Sequence, residues 1–214
     1  TNNGQVIAAE IPNGGLSPSP AAFPPVLPTG VHWTSIELGG TYAGGTRSDG
    51  HVEIWGHGSL PLPVPSFAQP PKPPAGTAFT KLSIEASSCA ALRSAGVIAV
   101  WGATTGQKLL YITPPSGLRY IDLQLGGGTL LAVRSDGKLA AWGETTGTLA
   151  ENLPNHQGPF TKIFTGEGIG YALDAAGHIT HWGQRWNHFE PPRPGFRVLP
   201  SGRPAFRKLL VNHG

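Results

Sequence analysis

Short apolar runs alternate with glycine-containing turns along most of this chain, and one such arrangement occurs four times. In each copy an apolar run ends in Arg or Asp, a turn with glycine at its last position follows, and a second apolar run ends in Trp-Gly. The copies read GGTRSDGHVEIWG at 44–56, AALRSAGVIAVWG at 90–102, LAVRSDGKLAAWG at 131–143 and YALDAAGHITHWG at 171–183. Because glycine readily adopts the positive φ that a tight turn needs, each copy predicts a β-hairpin.

The second strand of each predicted hairpin is apolar on both faces. Its first apolar residue lies three positions before its tryptophan, and side chains three apart on a strand point to opposite faces. These pairs are Val52 and Trp55, Ile98 and Trp101, Leu139 and Trp142, and Ile179 and Trp182. Such strands have to be covered on both faces, which one small sheet cannot do alone.

The repeat extends upstream of the hairpin. An aromatic residue lies 22 positions before each tryptophan (Trp33, Phe79, Tyr120 and Phe160), and an apolar residue follows it three positions later (Ile36, Leu82, Leu123 and Ile163). The tryptophans are spaced by 46, 41 and 40 residues, periods that indicate a solenoid or a propeller. We therefore predict an all-β chain, a β-propeller with repeats at 30–56, 77–102, 118–143 and 158–183.

The two ends of the sequence continue the same repeat. In residues 204–214, Phe206 takes the aromatic position and Leu209 the apolar one, whereas residues 1–10 match the second half of a repeat, with Val6 in the place of Val52. Together they lack only five residues of a blade. The prediction is a single domain, 1–214, of about five small blades, one of them composite; a fragment of a larger propeller is the alternative, since four to eight blades are known.

Proline-rich connectors separate the repeats. The chain contains 31 glycines and 22 prolines, with many of the prolines in segments 57–76 and 184–205. Because proline cannot donate a ladder hydrogen bond, we expect these segments to form surface loops or edge strands. The outermost strand of each blade is accordingly predicted to be short or missing.

Charge and cysteine content narrow the range of functions. The net charge is +3 with 13% charged residues, and the only loose basic cluster, within 185–208, indicates a solvated surface rather than a nucleic-acid site. No apolar run is long enough to cross a membrane. The single cysteine, Cys89, lies in a strand of small residues and predicts a buried, inert thiol. The lone cysteine and the absence of methionine favour a mature secreted protein.

The repeat pattern resembles a known family. Small residues, Ala-Leu-Arg-Ser-x-Gly, an apolar strand and Trp-Gly, followed by Thr-Thr-Gly-Gln at 104–107, resemble the repeats of the regulator of chromosome condensation superfamily. The short period is most similar to the secreted bacterial branch that includes the second β-lactamase inhibitory protein. The chain departs from the usual seven blades, lacks the full Gly-Gln-Leu-Gly turn, and has Ala9-Glu10 where Trp-Gly is expected. The resemblance implies a propeller with a binding or scaffold role, and it assigns no functional residue.

Catalytic and metal-binding patterns are weak in this sequence. None of the common nucleophile, zinc, calcium or phosphate motifs is present. His181 and His188 lie on either side of Trp186, but one histidine pair without a carboxylate falls short of the three or four ligands of a metal site. We therefore predict no catalytic residue, no metal and no cofactor.

Residues that recur in every repeat have structural explanations, so function is expected in residues that do not recur. Trp186 is a large aromatic residue in a polar segment, flanked by Arg185, His188 and Phe189, as in interface anchors and sugar-stacking platforms. The alternative is that Trp186 packs beneath its own proline-rich loop. The lesser candidates are Tyr42, His57 and Tyr111.

Three functional hypotheses follow. The favoured one is a secreted, non-catalytic propeller that binds a protein, as an inhibitor or an adhesion module, through loops on one face. A carbohydrate-binding propeller is the first alternative, although the polar and aromatic set expected once per blade in such a lectin does not recur. An enzyme or metal-binding protein, with a site in the central channel or around Trp186, is the second alternative.

Overall fold

A computed structural model of the chain describes residues 24–39, 42–56, 69–86, 88–102, 105, 108–143, 149–150, 153–166 and 168–183. Within these ranges thirteen β-strands form four small antiparallel sheets, one for each predicted repeat. No helix in the described ranges is long and apolar enough to cross a membrane. The composite blade predicted from residues 204–214 and 1–10 lies outside the described residues.

Each sheet, or blade, contains a first, a second and a third strand in chain order, and blade 2 has a fourth. Blade 1 contains β1 (Trp33–Gly39), β2 (Tyr42–Arg47) and β3 (Val52–Gly56), and blade 2 contains β4 (Phe79–Glu85), β5 (Ser88–Arg93), β6 (Ile98–Gly102) and β7 (Leu110–Ile112). Blade 3 contains β8 (Tyr120–Gly126), β9 (Thr129–Arg134) and β10 (Leu139–Gly143), and blade 4 contains β11 (Phe160–Gly166), β12 (Ile169–Asp174) and β13 (Ile179–Gly183). The short fourth strand of blade 2 agrees with the prediction that outer strands are short or missing.

A register shift at the start of every first strand explains the aromatic-plus-three spacing. The pairing of first with second strands slips immediately after the aromatic residue, for example between Phe79 and Lys81. Positions three apart would otherwise face opposite sides, but the extra residue of a β-bulge brings them to the same side. Phe79 and Leu82 consequently pack in one apolar cluster, as do Tyr120 and Leu123.

The hydrophobic core lies between blades rather than within them. We call the side of a blade that contacts the next blade in chain order its forward face, and the opposite side its rear face. Val52 and Ile54 on the forward face of blade 1 pack with Leu82 and Ile84 on the rear face of blade 2. Similar clusters join blade 2 to blade 3 and blade 3 to blade 4, and the first strands of neighbouring blades contact one another. The blades therefore stand in a row in chain order.

Polar side chains also join the first strands of successive blades. Asp122 on β8 accepts a hydrogen bond from Lys81 Nζ of blade 2 at 2.5 Å and from the Ile163 amide of blade 4 at 2.9 Å. Ser83 Oγ accepts a hydrogen bond from the Leu125 amide at 2.9 Å, while Thr165 Oγ1 donates to the Leu125 carbonyl at 2.8 Å. These bonds align the blades, because apolar contact alone allows sliding.

Small residues at the ends of the first strands allow the blades to approach closely. A Cβ atom added to Gly39 would lie 2.5 Å from Ile84 Cγ2 of the next blade, and one added to Gly126 would lie 2.1 Å from Thr165 Oγ1. Real Cβ atoms do not come so close to a neighbour. Neighbouring blades are therefore crowded together at Gly39 and Gly126, and this excludes larger side chains at both positions.

Candidate functional site

The turns between second and third strands define one end of the row of blades, which we call the hairpin face. Its turn glycines Gly50, Gly96 and Gly137 have φ near +80°. Each glycine carbonyl accepts a hydrogen bond from the aromatic residue that begins the next blade, with N to O distances of 2.8, 3.0 and 2.8 Å. The hairpin predicted around each of these glycines is confirmed, and its turn also attaches one blade to the next.

A serine in each of the first three hairpin turns repeats the same pair of bonds. Ser94 Oγ accepts a hydrogen bond from the Ala78 amide at 3.2 Å, and the Ser94 amide donates to the Ala78 carbonyl at 2.8 Å. Ser48 bonds His32 and Ser135 bonds Arg119 in the same way, so each serine is bonded to the residue before the first strand of its own blade. The hairpin face thus uses its backbone groups for internal structure.

The opposite end of the row, which we call the loop face, contains the turns between first and second strands and the ends of the third strands. In blade 3 the turn glycines Gly127 and Gly128 donate their amides to the carboxylate of Glu85 in blade 2, at 2.5 Å and 3.3 to 3.4 Å. Other repeats have glycine where blade 2 has Glu85. That departure from the repeat was the sequence signal for this contact, and our sequence reasoning missed it.

The strands that precede five of the candidate residues end at the loop face. His57 follows Gly56, the last residue of β3, and the other four follow Gly183, the last residue of β13. The five candidates themselves lie outside the described residues: His57, Arg185, Trp186, His188 and Phe189. Gly56 belongs to blade 1 and Gly183 to blade 4. The segment with His57 and the segment with the other four candidates therefore begin on different blades.

Tyr42, one of the lesser candidates, lies within the described residues. It begins β2 at the loop face, opposite Gly56 in the strand pairing. Its side chain is half-buried and packs against the apolar cluster between blades 1 and 2. Tyr42 therefore contributes to the core as well as to the rim of this face.

The lesser candidate Tyr111 lies on the outer edge of blade 2 rather than on either face. It is exposed on β7, where the Arg93 guanidinium carbon is 5.7 Å from its ring centroid. The neighbouring Leu109 and Leu110 are also exposed. Our sequence reasoning overlooked these two leucines, although the apolar run Leu109 to Ile112 inside a connector was a visible signal.

The described histidines are placed as structural or solvated groups. His178 is exposed at a hairpin turn, with its Nδ1 2.8 Å from an Asp174 carboxylate oxygen. Burial opposes ionisation of Asp174, but the hydrogen bonds and charge of His178 outweigh it and hold the pKa of that carboxyl below its usual value. The ring of His181 lies 6.4 Å from the ring of Tyr171, and the two rings are tilted by 39°. In the described ranges no three potential ligands gather as a metal site would require.

Cys89 is buried in β5, in the cluster between blades 1 and 2. Burial among apolar side chains raises the pKa of its thiol to about 12. The buried position predicted for this thiol is confirmed, and the raised pKa disfavours the reactive thiolate near neutral pH.

Comparison with known proteins identifies the fold. No protein-family profile and no curated protein sequence matches this chain. Among solved structures, the ectodomain of the receptor kinase CR4 from Physcomitrella patens matches 73% of the chain and 43% of its own length, with a TM-score of 0.57 and 17% identity. Human WBSCR16 matches 71% of the chain and 48% of its own length, with a TM-score of 0.55 and 14% identity.

A third similar structure is Prp20p of Saccharomyces cerevisiae, the yeast RCC1. It matches 70% of the chain and 44% of its own length, with a TM-score of 0.53 and 17% identity. The chain spans less than half of each of these three proteins, and identities this low establish the fold alone. The four blades described above have the architecture of a β-propeller.

Proposed function

We propose that this chain is a secreted, non-catalytic β-propeller that binds a partner protein through its loop face, as an inhibitor or an adhesion module. The observation that carries the proposal is the difference between the two faces. The hairpin face repeats one pattern of backbone and serine bonds in successive blades, whereas the loop face is where the non-recurring segments begin. Binding residues are commonly located on variable loops held by a rigid scaffold.

The side chains of the segment that follows β13 are of the types that protein interfaces use. Trp186 offers a large apolar surface with one hydrogen-bond donor, and Arg185 offers a planar cation beside it. Tryptophan and arginine are enriched among the interface residues that contribute most of the binding energy. His188 and Phe189 extend the same segment, so four neighbouring side chains supply apolar, aromatic and charged contacts.

Solved structures with this fold include complexes with proteins. The structure of Prp20p is described together with its binding to Gsp1p and histones, and yeast RCC1 was solved with Kap60 bound. These partners belong to those proteins. They support the proposal by showing that this architecture is used for protein binding.

The test compares two matched variants. Partners captured from the extracellular fraction of the natural source would be identified, and the dissociation constant of each purified partner would be measured for the unmodified chain, Trp186→Ala and Ala95→Arg. Ala95 is an exposed residue of a hairpin turn and serves as the control. We expect binding to weaken about tenfold or more in Trp186→Ala, as for an interface anchor, and to stay unchanged in Ala95→Arg.

Other outcomes would contradict specific parts of the proposal. Weakening by Ala95→Arg alone would move the binding site to the hairpin face. Binding to arrayed glycans without a protein partner would favour the lectin alternative. Recovery of the protein only inside cells would contradict secretion. If the partner is an enzyme, its inhibition by the unmodified chain and not by Trp186→Ala would support the inhibitor role.

A further inference from the structure

Residues 206–211 repeat the pattern of a first strand. They read FRKLLV, against FTKLSI at 79–84 in β4 and FTKIFT at 160–165 in β11. The aromatic residue, the lysine two positions later and the apolar residue at the fourth position are shared. Phe206 follows Phe160 by 46 residues, the same interval that separates Phe79 from Trp33. This segment therefore has the composition and the spacing of the first strand of a blade after blade 4.

The forward face of blade 4 is covered only in part: Leu173 is 6% exposed, but Ile179, its partner in the strand pairing, is exposed. Its Ile179 is 41% exposed, whereas the residues at the same position of blades 1, 2 and 3 are 3%, 0% and 3% exposed: Val52, Ile98 and Leu139. In those blades the first strand of the next blade supplies the cover. Leaving one large aliphatic side chain exposed at this position forfeits the burial that stabilises every other junction.

The contacts between blades 1 and 2 show which residues of a first strand cover the forward face of the preceding blade. A Cβ atom at Gly44 in the second strand of blade 1 would lie 2.7 Å from both Leu82 Cδ2 and Ile84 Cδ1 of the next blade. Blade 4 has Tyr171 at the position of Gly44, and residues 206–211 have Leu209 and Val211 at the positions of Leu82 and Ile84. By equivalence of repeat positions, we therefore expect Tyr171 to contact Leu209 and Val211.

We propose that residues 206–211 dock on the forward face of blade 4 as the first strand of a further blade, with Leu209 and Val211 covering Ile179 and Tyr171. The occupant is a segment of this chain rather than a second copy, because it repeats the aromatic residue and the apolar residue three positions later that occur in every first strand covering another forward face. The inference is independent of the proposed function, since it concerns the flank of blade 4 and not the loop face.

Thiol labelling of the full chain tests this docking. In a Cys89→Ala background, Ile179→Cys would be reacted with a maleimide, with Ala95→Cys on the hairpin face as the exposed reference. We expect Ile179→Cys to react about tenfold or more slowly than the reference, because access requires local opening. Adding Leu209→Asp and Val211→Asp should raise its rate to that of the reference and leave Ala95→Cys unchanged.

Two results would overturn the proposal. If Ile179→Cys reacts as fast as the reference in the otherwise unaltered chain, the forward face is uncovered. If its protection is lost on dilution, together with a change from dimer to monomer by light scattering, a second copy is the occupant. Tryptophan fluorescence and circular dichroism of the Asp variants would show that blades 1 to 4 remain folded.

A cysteine pair provides a test that does not depend on the Asp substitutions. Tyr171→Cys with Leu209→Cys, in the Cys89→Ala background, is oxidised with oxidised glutathione, and the disulfide peptide is identified by mass after digestion. We expect an intramolecular disulfide in this pair and none in the control pair Ala95→Cys with Leu209→Cys. Equal yields from both pairs, or exclusively intermolecular disulfides, would contradict the docking.

Discussion

At the scale of the residue, the recurring arginine bonds within its own hairpin in blades 1 and 3. The guanidinium of Arg134 bonds the carboxylate of Asp136 in the adjoining turn, and Arg47 bonds Asp49 similarly. Arg47 also reaches Glu53 on β3 at 2.5 Å. In blade 4 the same position is Asp174, which accepts hydrogen bonds from the turn amide of Ala176 and from His178. At this one repeat position, an arginine in blades 1 and 3 and an aspartate in blade 4 thus stabilise the same kind of turn. This structural role explains why a charged residue recurs there without taking part in recognition.

The thiol of Cys89 gives the first prediction at this scale. Because it is the chain's single cysteine and is buried, we expect a disulfide reagent at pH 8 to react with it only after unfolding in guanidinium. The folded-state pKa, about 12, exceeds the unfolded value of about 8.5. The unfolded chain therefore loses a proton first, and the free energy of unfolding should fall by about 1–2 kcal/mol between pH 7 and pH 10.

Cys89→Ala is the control for this pH dependence. Lysines and tyrosines titrate equally in both proteins, so the difference between their urea unfolding curves reports the thiol alone. Equal losses of stability in the two proteins above pH 8.5 would show that the thiol ionises freely in the folded state, and rapid labelling of the native chain would show the same.

At the scale of the element, Asp122 connects three blades from one position on β8. One carboxylate oxygen is bonded to Lys81 in blade 2, and the other to the Ile163 amide in blade 4. The carboxylate is buried, so both partners depend on it for their bonds. In β4 and β11 the same position holds a lysine, Lys81 and Lys162, so the sequence alternates in charge where the first strands meet.

We expect Asp122→Ala to lower the free energy of unfolding by about 2–3 kcal/mol, because it leaves a buried amide and a partly buried ammonium group without their acceptor. Asp136→Ala, which removes an exposed partner of Arg134, should cost no more than about 1 kcal/mol. Urea unfolding of both variants measures the difference. Equal effects would mean that the link between blades adds nothing beyond an ordinary surface ion pair.

At the scale of the whole molecule, the described blades share their cores. Each apolar cluster combines the forward face of one blade with the rear face of the next, so no blade buries its own apolar surface alone. The rear face of blade 1, which has no described blade packed against it, shows that an uncovered face leaves its apolar residues exposed. Its Leu38 is 76% exposed, whereas Ile84 at the same position of blade 2 is 5% exposed. Neighbouring blades therefore stabilise one another, as in other repeat folds.

This sharing predicts cooperative unfolding of the blades. Leu123 is fully buried between blades 2 and 3, and Leu123→Ala should cost about 2–5 kcal/mol while circular dichroism and tryptophan fluorescence still report one coincident transition. Leu110→Ala, at the exposed outer edge of blade 2, should change stability by no more than about 0.5 kcal/mol. Separate transitions for the two probes would show that the blades unfold independently.

The sequence by itself determined the local structure and the class of fold. Gly50, Gly96 and Gly137 marked the hairpin turns, and the strands that are apolar on both faces required packing on both sides, which led to the propeller. These inferences succeed because turn conformation and strand alternation depend on residues close together in the chain. The same reasoning identified Cys89 as a buried thiol.

Only the tertiary structure decided which residues meet across blades. Lys81 and Asp122 are separated by 41 positions, and nothing in either local sequence indicates that they bond. The bulge that turns the aromatic residue and its apolar partner to one side also depends on strand pairing. The half-buried position of Tyr42 and the division into two faces follow from how the strands are oriented in neighbouring blades. These features arise from contacts between distant residues, which periodicity along the chain does not encode.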